Sequence, residues 1–378
     1  MSRFGPALDE EQRDLVAMLD AFVADHDVVL SDDADVVGGL ATELAELGVW
    51  TIGTDERYGG GGAGRLTTAV AMERLGRAWP ALGWAATQAH AAVDVLGGDD
   101  RFADVVAAVH TAAVAIAVVD ATSPQVRLDW SADALSGSVD RIDPAAEAPY
   151  LLLLGDDDTA VLVGPEAMTT RPLERTGLGG ALTRSVRLKD TVPAGAVHRM
   201  GNVDVGAART RLRQGAAAVA AGIAGAAADA AAAYAAERHQ FGGPLTELPT
   251  VRQSLLDQAM RTSVALAVAF AADERDGDGE GDRGDSGVGG VRGVGDGGGV
   301  EGSVRALAAV RHACDAAIEV AAAALQSHGG YGYLAEYPVE RHLRDAVSLR
   351  AATDTQTATA LTARTLVGLG PLREAEAS

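Results

Sequence analysis

The sequence contains a single cysteine, Cys314, among 378 residues. A lone cysteine cannot form a disulfide within the chain and cannot build a cysteine-based metal cage. Aromatic residues make up only 4% of the chain, although hydrophobic residues as a whole make up 48%. The core must therefore consist mainly of Ala, Val and Leu, which suits closely packed helices better than aromatic-rich sheets. The length is sufficient for two or three domains that share a large core.

Positive charge is also scarce, since 31 Lys and Arg stand against 53 Asp and Glu, giving a net charge of -22. Such a surface repels a phosphate backbone, so we expect no nucleic-acid partner. The most apolar long stretch, residues 216–236, is mostly alanine and contains Asp229. It predicts a buried helix and no membrane span. Residues 1–12 lack the basic start and apolar run of a signal peptide, so we expect a cytoplasmic protein.

The spacing of apolar residues divides the chain into three parts and predicts an α+β, mainly α fold. Residues 1–110 show helical spacing and predict an N-terminal helical domain. In residues 111–205, short apolar runs alternate with Asp, Gly and Pro turns, which predicts a central β-barrel-like domain. Residues 206–378 predict a C-terminal four-helix bundle, because the alanine-rich stretch allows close helix contact. Within it, the Gly- and Asp-rich residues 273–303 predict a flexible insert.

Two segments of the last part combine polar, aromatic and glycine residues at close spacing. Residues 234–245 read Tyr-Ala-Ala-Glu-Arg-His-Gln-Phe-Gly-Gly-Pro-Leu, and residues 326–333 read Gln-Ser-His-Gly-Gly-Tyr-Gly-Tyr. An arginine such as Arg238 supplies a fork of donors for a pyrophosphate. Phe241 can cover a nucleotide ring, Gln326 offers a donor and an acceptor, and glycines let backbone amides approach a ligand. Arg238, Phe241, Gln326, Gly329 and Gly330 are therefore candidate ligand-binding residues.

On these segments the chain resembles the acyl-CoA dehydrogenase family, whose C-terminal domain carries an Arg-x-x-Phe-Gly element. A Gln-x-x-Gly-Gly-x-Gly-Tyr turn and an Arg-Asp pair follow it, and Arg344 and Asp345 match that pair. The segments Leu-Gly-Val-Trp-Thr-Ile-Gly from Leu47 and Tyr-Gly-Gly from Tyr58 resemble the family's N-terminal domain. The resemblance implies FAD-dependent α,β-dehydrogenation of an acyl-CoA thioester, with electron-transfer flavoprotein as acceptor. It also implies that this Arg, Phe and Gln bind the adenine end of the flavin of a neighbouring subunit. The cofactor-binding candidates that the resemblance implies are Arg238, Gln240, Phe241, Gln326, Gly329, Gly330 and Thr355.

The family pattern breaks at the catalytic base, which is a Glu in a Glu-Gly-Thr sequence after the Arg-Asp pair. The matching residues here are Thr353, Asp354 and Thr355, and a hydroxyl cannot take the substrate proton at neutral pH. The base position used by other members, early in the long helix, is Leu212, followed by Arg213 as a candidate substrate-binding residue. Asp354 is a candidate displaced base, although helical geometry would point it about 100° away from position 353.

The β segment departs from the family as well. The loop and the Trp-(Ile/Phe)-(Ser/Thr) element that pack against the flavin ring are replaced by Val119-Asp120-Ala121-Thr122 and by Arg141-Ile142-Asp143. The chain therefore keeps the residues for a neighbour's flavin and lacks those for its own. This resembles the base-lacking subunits of heteromeric members and favours a heterotetramer with a catalytic subunit. A self-sufficient homo-oligomer that uses Asp354 and a flavin-free scaffold protein are the alternatives.

Overall fold

The first part of the chain is helical, as predicted. The structure, a computed structural model, describes residues 7–129, 135–155, 158–189, 195–271 and 297–367. The helices of the first part are α1 (Glu10–His26), α2 (Ala34–Glu46), α3 (Arg65–Ala78), α4 (Pro80–Leu96) and α5 (Ala103–His110). A capping box starts α1: the Asp9 carboxylate accepts from the Gln12 backbone amide, and the Gln12 side chain accepts from the Asp9 amide. Leu19 on its predicted apolar face is buried in the core.

Pro80 and Gly83 lie inside helix α4. Pro80 occupies the first turn, where backbone amides have no acceptor within the helix, so the missing N–H of proline costs no helical hydrogen bond. Gly83 is needed for close packing, because a Cβ atom there would stand 2.9 Å from Cγ2 of Val219. Interhelix packing, which local propensity does not report, therefore explains the glycine.

The central part, which we expected to be β-barrel-like, consists of two four-stranded sheets and is not a closed barrel. The strands are β1 (Ile116–Asp120), β2 (Val126–Asp129), β3 (Ser136–Ile142), β4 (Tyr150–Leu154), β5 (Thr159–Val163), β6 (Met168–Pro172), β7 (Arg184–Leu188) and β8 (Val197–Gly201). One sheet has the order β1-β4-β5-β8 and the other β2-β3-β7-β6. The β1–β4 pair is parallel and the others are antiparallel.

Strand β4 shows how this part is joined to the helices. Leu151 and Leu153 face a core shared by the two sheets, whereas Leu152 and Leu154 face the helical core. Since alternate residues of a strand point to opposite faces, all four leucines are buried. A strand that is covered on both faces lacks the polar alternation of an exposed sheet.

The last part is a set of packed helices, as predicted. They are α6 (Val205–Glu237), α7 (Pro249–Ala271), α8 (Gly297–His328), α9 (Val339–Ala352) and α10 (Thr355–Leu366). The strands β9 (His239–Gln240) and β10 (Gly243–Pro244) form a hairpin after α6. Helix α8 begins at Gly297, inside the expected insert, and the rest of that insert, residues 273–296, lies outside the described residues.

Helix α6 is the centre of the helical core. It is long and apolar enough to span a membrane, but 67% of its most apolar window is buried by other parts of the protein. A Cβ atom at Gly222 would stand 2.2 Å from the Glu73 carbonyl oxygen, so α3 and α6 approach backbone to backbone. We conclude that α6 is a core helix, as its alanine content predicted.

A buried histidine should make the stability of this helical core depend on pH. His90 donates from Nδ1 to the Ala86 carbonyl (2.7 Å) and accepts at Nε2 from the Gly53 amide (3.0 Å). Burial is the main cause that lowers the pKa of His90 from 6.5 to about 3, and Arg211 also lowers it. Below pH 6.5 the unfolded chain therefore takes up a proton that the folded chain refuses. Because of this histidine, the free energy of unfolding should decrease by about 1.4 kcal/mol for each unit by which the pH falls below 6.5.

Urea unfolding at pH 7.5, 6 and 5 would measure this dependence. His90→Gln keeps one donor and one acceptor but does not titrate, so its stability should fall less steeply between pH 6 and pH 5. Equal slopes for the variant and the wild-type chain would show that His90 does not cause the effect.

Candidate functional site

A pocket lies where β1, β3, α4, α6 and the α9–α10 turn meet. Its volume is about 850 Å³, including its opening to solvent. Helix α4 contributes Trp84 and Gln88, both of which sequence analysis missed because nothing in their local spacing distinguishes them from core residues. The other lining residues are Val118, Val119, Asp120, Thr122, Ser123, Gln125, Arg141, Ile142, Asp143, Leu154, Arg209, Leu212, Arg213, Ala352, Thr353, Asp354, Thr357 and Ala358.

Asp120 is held by an arginine that sequence analysis also missed. Arg209 donates to both carboxylate oxygens of Asp120 (2.7 and 3.1 Å) and to the Gly155 carbonyl (3.0 Å). The Thr122 hydroxyl donates to the same carboxylate (2.7 Å). Burial acts to raise the pKa of Asp120, but Arg209 and Thr122 outweigh it and lower this pKa below its ordinary value. Asp120 is therefore ionised, and its carboxylate is already hydrogen-bonded to Arg209 and Thr122.

The Asp143 carboxylate is likewise bound by an arginine and a threonine. It is 4% exposed and receives hydrogen bonds from Arg141 (2.8 and 3.2 Å) and from the Thr183 hydroxyl (2.5 Å). Arg141 also donates to the Ser348 carbonyl of α9 (3.1 Å), and Gln88 donates to the Asp143 carbonyl (2.8 Å). The residues at the expected flavin-ring element thus bond to each other and link the β sheets to the helices.

Thr353 lies on the wall of this pocket, at the end of α9. Its hydroxyl donates to the Arg350 carbonyl (2.9 Å), and its side chain also contacts the Cys314 thiol. Burial raises the pKa of that thiol to about 12, so the thiol stays protonated. Neither group at this position can act as a base near neutral pH.

Asp354 lines the same pocket, contrary to our expectation. We expected position 354 to lie on a helix and to point away from position 353. Helix α9 ends at Ala352, and Asp354 is a turn residue with a φ of 38°. Among the described residues no hydrogen bond or ion pair involves its carboxylate. Asp354 is therefore the unpaired carboxylate of a pocket wall whose other aspartates are paired.

Leu212 and Arg213 also line the pocket, from the first third of α6. Leu212 provides no carboxylate and neither does Thr353, so the two positions at which the resemblance predicts a base carry none. The Arg213 guanidinium donates to the Ser303 hydroxyl on α8 (2.9 Å). Within the described ranges, no group of three or more His, Cys, Asp or Glu side chains could hold a metal ion.

A second surface lies at the other end of α6, on the β9–β10 hairpin. Phe241 and Gly242 form the two-residue turn with φ values of 56° and 94°, and Phe241 is 85% exposed. Both residues have positive φ, as a type I′ hairpin turn requires. Arg238 ends α6 and places its guanidinium over the Tyr331 ring at 4.9 Å.

The end of α8 belongs to the same surface. Tyr234 of α6 stacks on His328 at 4.2 Å, so the ends of α6 and α8 lie side by side. Gln326 is exposed, and nothing lies within 4 Å of a Cβ atom built at Gly329 or Gly330. We call Arg238, Gln240, Phe241, Gln326, Gly329 and Gly330 the hairpin surface.

The pocket and the hairpin surface are far apart. Helix α6 has 33 residues and is therefore about 50 Å long. Arg209 and Arg213 lie near its start and Arg238 lies at its end, which is farther than one extended dinucleotide reaches. Thr355 belongs to neither set, because it begins α10 and is not among the residues that line the pocket.

Comparisons with known proteins identify the fold. Residues 9–100 match the model of the acyl-CoA dehydrogenase N-terminal domain, and residues 205–356 match that of the acyl-CoA dehydrogenase C-terminal domain. A probable acyl-CoA dehydrogenase of Bacillus subtilis, YngJ, is 26% identical over 90% of this chain and 93% of its own length. Another acyl-CoA dehydrogenase of that organism is 38% identical over 39% of this chain and 32% of its own length.

The fold also resembles a solved structure across almost its whole length. Glutaryl-CoA dehydrogenase from Mycobacterium smegmatis, in complex with FADH2, superimposes with a TM-score of 0.73 at 19% identity, over 97% of each chain. These matches define a three-part flavoprotein-type fold of oxidoreductases. The chain belongs to the acyl-CoA dehydrogenase family.

Proposed function

We propose that this chain is the base-lacking subunit of an FAD-dependent acyl-CoA dehydrogenase, assembled as a heterotetramer with a catalytic relative in the cytoplasm. Its hairpin surface would bind the adenine end of a flavin whose ring lies in the neighbouring subunit. The observation that carries this proposal is the contrast between an exposed, open hairpin surface and a pocket whose base positions hold Thr353 and Leu212.

The hairpin surface fits the adenine end of FAD. Arg238 offers a planar fork of donors that matches a pyrophosphate. The ring of Phe241 is exposed and free to cover the adenine or ribose. The backbone at Gly329 and Gly330 is open to close approach by a ligand. In this chain these residues only bind and orient the nucleotide.

The pocket fits a flavin ring less well. A ring of this kind needs hydrogen-bond donors that point into the pocket, but the hydroxyl of the lining residue Thr122 already donates to Asp120. Arg141 stands where the resemblance places a tryptophan, and its charge is held by Asp143. A flavin accepts hydride from a thioester when it is bound, and here no carboxylate occupies either family base position to remove the accompanying proton.

Helix α7 supports assembly with another chain. Leu256, Met260 and Val264 follow at helical spacing and are 47–58% exposed, so they form an apolar stripe on the outer face. The inner face carries the buried polar residues Gln258 and Thr262. Since the apolar side faces outward, we infer that this stripe is covered in the assembled protein. Electron-transfer flavoprotein would be the acceptor of the assembled enzyme, as the resemblance implies.

Flavin stoichiometry tests the proposal. Co-expression with a catalytic relative encoded nearby should give a complex with one FAD for every two chains, measured by flavin absorbance against protein concentration. The isolated chain should be colourless. One tightly bound flavin per chain in the isolated protein, with normal turnover of an acyl-CoA thioester, would rule out the proposal.

A self-sufficient dehydrogenase is the second candidate function, and one observation favours it. The Asp354 carboxylate lines the pocket without a partner among the described residues, so it is available to accept a proton. Unlike Asp120 and Asp143, it forms no ion pair with an arginine in the described part of the chain.

A further inference from the structure

The aromatic ring beside Arg238 belongs to Tyr331, which is not one of the cofactor-binding candidates. Tyr331 lies in the short 3-10 helix Gly329–Tyr333, directly after α8. The central carbon of the Arg238 guanidinium stands 4.9 Å from the centre of the Tyr331 ring. In the part of the chain that the structure describes, no hydrogen bond or ion pair involves this guanidinium. The contact with the ring therefore determines how the guanidinium is oriented there.

The backbone of Arg238 is fixed, so the freedom that remains is in its side chain. Its amide donates to the Tyr234 carbonyl (2.9 Å), and its carbonyl accepts from the Leu245 amide (2.8 Å). An arginine side chain has many rotamers, and a ligand that immobilises it must offset the lost conformational entropy. A ring that restricts the guanidinium before the ligand arrives reduces this cost.

The ring of Tyr331 is itself held by two other tyrosines. Its centre lies 6.1 Å from that of Tyr337, at an interplanar angle of 77°, and 6.4 Å from that of Tyr234. Tyr234 in turn stacks on the buried ring of His328 at 4.2 Å, and Tyr337 packs against the helical core. Aromatic rings favour such tilted and edge-on contacts. Although Tyr331 is 42% exposed, its neighbours therefore fix the place of its ring.

We propose that Tyr331 is a positioning residue, whose ring holds Arg238 in the orientation in which its N–H groups bind the pyrophosphate of FAD. A guanidinium uses its flat face to lie over an aromatic ring and its edge to donate hydrogen bonds, so both contacts can exist together. The inference rests on the proposed function, because it assigns the residue that orients the arginine of the hairpin surface. In this role Tyr331 acts through Arg238 and needs no contact with the cofactor.

Replacing the ring tests the inference in the complex of this chain with its catalytic relative. Tyr331→Leu removes the ring and keeps an apolar side chain, and it should weaken FAD binding about 3- to 10-fold. Tyr331→Phe is the matched control, since it keeps the ring and should leave the dissociation constant within about twofold of wild type. Fluorescence of flavin released on dilution measures the constant. An equal loss with Tyr331→Phe would mean that the hydroxyl acts instead of the ring, which contradicts the inference.

A double-mutant cycle with Arg238→Ala separates positioning from a general structural role. If Tyr331 acts through Arg238, Tyr331→Leu should change FAD affinity by less than about twofold once Arg238 is alanine. A purely structural role would give the same loss whether or not the arginine is present. That outcome would show that the inference is wrong.

The same set of variants distinguishes failure of this inference from failure of the proposed function. If Arg238→Ala releases flavin and Tyr331→Leu does not, the hairpin surface binds the cofactor but Tyr331 does not position it. Full flavin retention by Arg238→Ala, or a complex without flavin, would overturn the inference together with the proposed function.

Discussion

Restoring three family side chains should turn the isolated chain into a flavin-binding dehydrogenase. The variant combines Arg141→Trp, Asp143→Thr and Thr353→Glu. The first two changes remove both members of a largely buried ion pair together, so no orphan charge remains, and they restore the ring-packing element. The third supplies a carboxylate on the pocket wall. Against the same variant with Thr353 retained, the glutamate should raise the rate about 10²- to 10⁴-fold.

The comparison needs a dye-reduction assay with a short acyl-CoA and a flavin measurement on each variant. Adding Asp354→Asn to the triple variant is the control, and it should change the rate little. A fall of about 10²-fold or more with Asp354→Asn, either here or in the wild-type chain, would identify Asp354 as the base. That result would support the self-sufficient enzyme instead.

Replacing Arg238 by alanine should release most of the flavin from the assembled enzyme. A charge-assisted hydrogen bond contributes about 1.5–3 kcal/mol, so the loss of a bidentate contact to the pyrophosphate should weaken flavin binding about 10- to 150-fold. Arg238→Lys should give an intermediate loss, because an ammonium keeps the charge but not the planar fork. Fluorescence of released flavin after dilution would measure the dissociation constant.

Stability should change much less than flavin affinity in this variant. Arg238 lies over the Tyr331 ring at 4.9 Å, and such an exposed cation–π contact contributes only about 0.5–1 kcal/mol. Arg101→Ala is the control for the loss of an exposed arginine, since Arg101 pairs with Asp99 away from the hairpin surface. Full flavin retention by Arg238→Ala in the complex would show that the hairpin surface does not bind the pyrophosphate.

The sequence by itself determined the family and the order of helices, strands and helices. Those conclusions depend on contiguous signals, such as the spacing of apolar residues and the run around Arg238 and Phe241. The sequence also predicts that Thr353 stands at the base position, because that position is counted along the chain from Asp345. A contiguous motif is complete within one stretch of sequence and does not depend on contacts with distant segments. It can therefore be recognised without a structure.

Only the tertiary structure decided what the pocket wall does. Asp120 and Arg209 are 89 residues apart in sequence, and Asp143 and Thr183 are 40 apart, so neither pair leaves a local pattern. Packing likewise divided the strands into two sheets, and the end of α9 at Ala352 turned Asp354 toward the pocket. Ion pairing and burial depend on contacts between distant segments. For that reason the sequence identifies these residues but does not show their charge state or their partners.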